Sequence, residues 1–81
     1  MKVKIKFFSS CYDIIGIKEM MLKIPKNTLL IHLFEKIIQL YPKLNPLKES
    51  ILLAINKEFA DSNIILYEGD EIAIMPPIGG G

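Results

Sequence analysis

Glu68-Gly69-Asp70-Glu71-Ile72-Ala73-Ile74-Met75-Pro76-Pro77-Ile78-Gly79-Gly80-Gly81 reads as a turn, a strand, a stop and a tail without side chains. Glu68-Gly69-Asp70 is a tight-turn triplet. In Glu71–Met75 the period-two pattern sends Ile72 and Ile74 to one face and Ala73 and Met75 to the other. Pro76 and Pro77 fix φ and donate no backbone hydrogen bond, so sheet pairing ends there and the chain leaves extended. Beyond them only Ile78 has a side chain, and Gly79, Gly80 and Gly81 can pass a channel too narrow for a Cβ. From Pro76 to Gly81 the extended chain reaches about 20 Å. Such an ending is either an ordinary loose terminus or a device that carries the carboxylate of Gly81 into another protein. The chain thus divides into a single domain, 1–75, and an extended tail, 76–81.

Working back from that strand, Lys2-Val3-Lys4-Ile5-Lys6-Phe7-Phe8 alternates in the same way, with Val3, Ile5 and Phe7 inward and the lysines and Phe8 outward. Ser9–Gly16 breaks the alternation and is expected to be a loop with a short turn near Asp13–Ile15. Lys18–Ile24 resumes as a strand, Met20, Leu22 and Ile24 inward, and Pro25 ends it. Asn27-Thr28 offers an N-cap to a helix running to about Tyr41. Leu30, Leu33, Phe34, Ile37, Leu40 and Tyr41 form its expected buried stripe, with His32, Glu35, Lys36 and Gln39 wet. Lys43–Ser50 reads as a loop or short helical turn. Ile51–Ile55 suits a strand buried on both faces. Asn56-Lys57-Glu58 turns into a short strand at Phe59, and Ile64, Ile65 and Leu66 are expected to plug one end of the core.

The order of strand, strand, helix, strand, short strand, strand predicts an α+β domain with one helix packed on one face of a mixed sheet, and the first and last strands parallel in its middle. This is the ubiquitin-like β-grasp arrangement. The other face is left to solvent or a partner. Phe8 and Met75 then meet where the tail departs, with Phe59 nearby, and the three form a candidate docking cluster.

Composition narrows the function. At 81 residues the chain supports one modest core, and 51% hydrophobic content is ample for it. Mean hydropathy is +0.34, yet the apolar runs are short and interrupted, so neither a membrane span nor a signal peptide is expected and the cytoplasm is the default. The basic residues are all lysine and the net charge is +1, which argues against a nucleic-acid partner. Cys11 and His32 are each the single residue of their kind, so no metal site is expected.

With these residues in place, the chain resembles, over essentially its full length, the small sulfur-carrier subunits of molybdopterin synthase. The resemblance rests on Val3–Phe8, Asp13-Ile14-Ile15-Gly16, Leu53-Ala54-Ile55-Asn56 and above all Glu68–Gly81. Family members often carry an arginine near the start of the first loop, where Tyr12 and Asp13 stand here. The terminal glycines are also similar to those of the thiamine-pathway carrier, which lacks the Pro76-Pro77 pair.

The resemblance implies a non-catalytic, sulfur-donating subunit of a heteromeric sulfurtransferase. Gly81 would be adenylated by a ubiquitin-activating-like enzyme that uses ATP, then converted by a sulfur donor protein to a thiocarboxylate. No permanently bound cofactor is implied. Pro76, Pro77, Ile78, Gly79 and Gly80 would insert into the pocket of the large subunit, in a heterotetramer of two small and two large chains. There the sulfur would pass to a cyclic pterin precursor to form the dithiolene that holds molybdenum or tungsten. A carrier for thiamine or transfer-RNA thiolation, or a ubiquitin-like modifier, would share the same tail. Cys11 is a rival sulfur carrier on paper, although nothing in the sequence around it lowers a thiol pKa.

Overall fold

In the computed structural model, residues 1–77 are described, and they form five strands and two α-helices around one core. β1 (Lys2–Phe7) and β5 (Glu71–Met75) lie parallel, with Ile5 beside Ile72 and Phe7 beside Ile74. β2 (Glu19–Lys23) pairs antiparallel with β1. β3 (Leu52–Ile55) pairs antiparallel with β5, and β4 (Glu58–Phe59) with β3. The order is β2-β1-β5-β3-β4, so the strand that feeds the tail is central. This is the β-grasp arrangement expected from the sequence.

α2 (Leu30–Leu40) covers one face of the sheet. It buries Leu30, Leu33, Phe34, Ile37 and Ile38 against Val3, Ile5, Phe7, Ile72 and Ile74. Each of these side chains is worth about 1.5–3 kcal/mol relative to exposure. Leu40, expected inside, is 49% exposed. Ile38 takes its place, because the stripe through Leu30, Phe34 and Ile37 continues onto Ile38 and leaves Leu40 on the flank. Tyr41 is half-buried and edge-on to Phe7, with ring centroids 6.0 Å apart.

The expected Asn27-Thr28 cap is absent. The Thr28 hydroxyl donates backward to the Pro25 carbonyl at 2.7 Å, and Leu29 is the N-cap without a side-chain bond. The first helical amides are satisfied from another segment instead: Leu30 N–H donates to the Ile64 carbonyl and Ile31 N–H to the Ser62 carbonyl. That duty holds the 61–66 segment on the outside, so Ile64 and Ile65 are 44% and 40% exposed and Leu66 alone enters the core.

Two further expectations change, and between the alternatives for residues 43–50 the structure takes the helical one. Ser9–Ile15 is a helix, α1, ended by Gly16 in the left-handed region at φ 77°. Its signal was legible: Cys11, Ile14 and Ile15 recur at helical spacing before a glycine stop. Pro42–Ser50 is a run of 3₁₀ turns anchored by fully buried Leu44. β3 is internal but not buried on both faces: its inward Leu53 and Ile55 are half-buried, and on the outer face the small Ala54 is its one buried residue. No helix among the described residues is long and apolar enough to cross a membrane.

Candidate functional site

The outer face of the sheet is built by the alternation of β1, β5 and β3. Phe8 continues β1 by one residue, and its N–H donates to the Ile74 carbonyl at 3.1 Å, which seats it beside Met75. Phe8 also starts α1 as its N-cap, so the chain turns away there and leaves the ring outside. On the other flank, Asn56 and Lys57 take φ of 51° and 73°. Positive φ at both central residues is the tight-hairpin geometry, and it folds β4 back so that Phe59 lies opposite Ala54.

The result is an open concavity of about 400 Å³ lined by Phe8, Phe59, Met75, Ala54, Ala73 and the stems of Lys6 and Lys57, with Glu71 at its edge. Phe8 and Phe59 are 44% and 64% exposed, and Met75 is half-buried. The structure therefore brings Phe8, Phe59 and Met75 together on one surface. Pro76, half-buried, and Pro77, exposed, follow directly at its margin. Ile78, Gly79, Gly80 and Gly81 lie outside the described residues.

The Glu71 end of the central strand is fixed by a small polar network. Asp70 accepts from Asn56 Nδ2 at 3.0 Å and from the Tyr67 N–H at 2.9 Å, while Asn56 Oδ1 accepts from the Glu71 N–H at 3.0 Å. These bonds tie the β3–β4 turn to the turn before β5. Lys6 pairs with Glu71 at 3.6 Å on the surface itself.

The remaining candidate groups do not join this site. Cys11 is fully buried, and desolvation pushes its thiol pKa up, away from the thiolate that sulfur chemistry requires. His32 is exposed on the opposite side, on α2. Among the described residues no His, Cys, Asp and Glu side chains gather into a group able to hold a metal. The sequence reading missed Tyr12 and Lys18, which line a second concavity of about 370 Å³ that shares Phe8 and Lys6 with the first. The Lys18 ammonium stands 5.9 Å from the Tyr12 ring centroid. The helical period that marks α1 is the signal that would have placed Tyr12.

A mixed sheet whose central strand ends beside an exposed apolar cluster, with one main helix packed behind it, defines a ubiquitin-like β-grasp protein. The ThiS family model matches residues 5–81. The chain belongs to the ThiS family. It is 33% identical over 81 residues to the molybdopterin synthase sulfur carrier subunit of Dictyostelium discoideum, covering 96% of this chain and 94% of that one. SAMP1 from Haloferax volcanii has the same fold at a TM-score of 0.87 and 19% identity, over the full length of both chains. A chain in the protein-protein complex of subunits 1 and 2 of the molybdopterin-converting factor of Helicobacter pylori 26695 matches at a TM-score of 0.73. It is 28% identical, with each chain fully covered.

Proposed function

We propose that this chain is the sulfur-carrier subunit of a molybdopterin synthase and that the carboxyl group of Gly81 is its reactive group. The observation that carries the reading is the base of the tail: the central strand ends beside Phe8, Phe59 and Met75, and Pro76 and Pro77 direct the chain outward. Family membership extends through residue 81. Relatives bear the name of this carrier, and one solved neighbour comes from a complex of two subunits of the molybdopterin-converting factor.

In this reading the tail is handled by other proteins in turn. A free carboxylate is a poor electrophile, so an adenylating enzyme joins a Gly81 oxygen to the α-phosphorus of ATP and releases pyrophosphate. A donor protein's persulfide then attacks the acyl carbon and AMP leaves; a thiol attacks the acyl disulfide so formed, ending as a disulfide with the donor and releasing the thiocarboxylate. Glycine at the last two positions leaves that carbon unhindered. The large subunit takes the tail into its pocket, where the thiocarboxylate sulfur attacks an oxygen-bearing carbon of the cyclic pterin precursor and that oxygen leaves as water or phosphate. Hydrolysis of the acyl link leaves sulfur on the pterin and returns the carboxylate. Phe8, Phe59 and Met75 dock the body while Pro76 to Gly80 pass into the pocket. The proton transfers fall to the large subunit, since the docking surface offers only Lys6, Lys57 and Glu71 as charged groups. The cytoplasm, where ATP and the adenylating enzyme are at hand, is the proposed location.

Incubation with ATP, the cognate activating enzyme and a sulfur source, followed by intact-mass measurement, tests the proposal. Replacement of one terminal oxygen by sulfur is the expected outcome. Covalent attachment of Gly81 to lysines of other proteins, without thiocarboxylate, would make the chain a modifier instead.

A further inference from the structure

The outer face of the sheet is divided. Its apolar end lies where the tail leaves, whereas its other half, over β1 and β2, is basic. The register sets Lys2 opposite Lys23, Lys4 opposite Met21 and Lys6 opposite Glu19, all on the face that turns away from the core. With Lys57, five of the ten lysines are on this face, against Glu19, Glu71 and, at its edge, Glu68, whose carboxylate accepts from the Lys2 N–H at 3.0 Å. The face therefore holds an excess of two positive charges on a chain of net charge +1, and the rest of the molecule is net acidic. Among the described residues the Lys6–Glu71 contact is the single ion pair, so Lys2, Lys4 and Lys23 are not neutralised by one.

Size makes the basic half part of any docking event. Five strands of two to six residues, about 4.8 Å apart and rising about 3.3 Å per residue, present roughly 350 Å² in projection, and the apolar end is about half of that. A standard interface covers about 800 Å² per partner. A protein seated on Phe8, Phe59 and Met75 therefore also lies over the lysines.

We propose that the protein which receives the tail presents an acidic surface to Lys2, Lys4 and Lys23, and that this pairing steers the carrier onto it and selects among possible partners. The proposal rests on the carrier reading above, with the large subunit as that protein. Long-range attraction of this kind raises the association rate far more than it slows dissociation. A protein is favoured over nucleic acid or an anionic membrane because the basic half is continuous with an apolar cluster and with the departing tail.

The test is stopped-flow association of the full 81-residue chain with the large subunit at low and high sodium chloride. Between about 20 mM and about 500 mM salt the association rate constant should fall about tenfold or more. The triple variant Lys2→Glu, Lys4→Glu, Lys23→Glu should associate about tenfold more slowly at low salt and lose most of the salt dependence. The glutamine triple variant, milder for folding, should lie between the two, with circular dichroism melts confirming that both variants fold. A salt-independent rate for the unmodified chain, or variants that associate as it does, would overturn the proposal and leave the carrier reading intact. Failure of the unmodified chain to bind the large subunit at any salt would overturn both. If the variants instead lose binding to phosphatidylserine vesicles or transfer RNA while their association with the large subunit is unchanged, the face serves another polyanion and the proposal fails.

Discussion

Phe8 and Phe7 are neighbours in sequence with opposite fates: Phe7 is 3% exposed in the core and Phe8 is 44% exposed on the surface. Alternation along β1 is the cause, and it makes the two substitutions distinguishable. Phe8→Ser combined with Met75→Ser should weaken large-subunit binding by about tenfold to a hundredfold, with little change in melting temperature. Phe7→Ala should cost about 3–5 kcal/mol of stability. A large fall in melting temperature for the first variant would place its residues in the core. At Cys11 the expected signature is a pH effect. Its folded-state pKa is raised by burial, so above the ordinary thiol pKa the unfolded chain loses a proton that the folded chain keeps. The stability contribution is fully present below that pKa and declines as pH rises toward the folded value. The melting temperature of the unmodified chain should fall relative to Cys11→Ala across that alkaline window, and thiocarboxylate formation should survive the substitution.

At the level of elements, the turns hold information that residue type only partly reveals. Asn56-Lys57 forms a two-residue hairpin turn with both φ positive, a geometry that suits Asn at the first position and Gly at the second. Lysine at the second is strained there. Lys57→Gly should therefore stabilise the domain by about 0.5–1 kcal/mol in urea denaturation, the relief of left-handed strain exceeding the added chain entropy. Loss of stability would show that the Lys57 stem packs more than it strains. Asp70→Ala removes acceptors from both Asn56 and the Tyr67 amide and should cost about 1–2 kcal/mol by the same measurement. α2 was legible from its apolar period, but its N-terminus was not. The donors of its first turn bond to carbonyls of residues 62 and 64, and no local pattern announces a partner thirty residues away. α1 shows its helical spacing in Cys11, Ile14 and Ile15, but the element is only seven residues long, and its Gly16 stop reads equally well as part of a loop.

At the scale of the molecule, the buried core among the described residues runs from Val3 to Ile74, before the tail begins. Deletion of Gly81, or extension beyond it, should leave the melting temperature unchanged while abolishing thiocarboxylate formation and sulfur transfer. Activity in either variant would remove Gly81 from the mechanism.

The sequence by itself determined the order of strands and helix along the chain, the inward and outward sets of β1, β2 and β5, and the Pro-Pro-Ile-Gly-Gly-Gly ending. Each is written in local period or in residues with fixed backbone preferences, and these survive without knowledge of the rest of the chain. Only the tertiary structure decided which apolar residues stay outside. Leu40, Ile64 and Ile65 are as hydrophobic as their buried neighbours, yet helix rotation and the capping duty of the 61–66 segment hold them at the surface. The division of the outer face into an apolar end and a basic half is likewise tertiary. Strand alternation points Lys2, Lys4 and Phe8 the same way, but only the register with β2 adds Lys23, and only the β3–β4 hairpin brings Phe59 across to Met75.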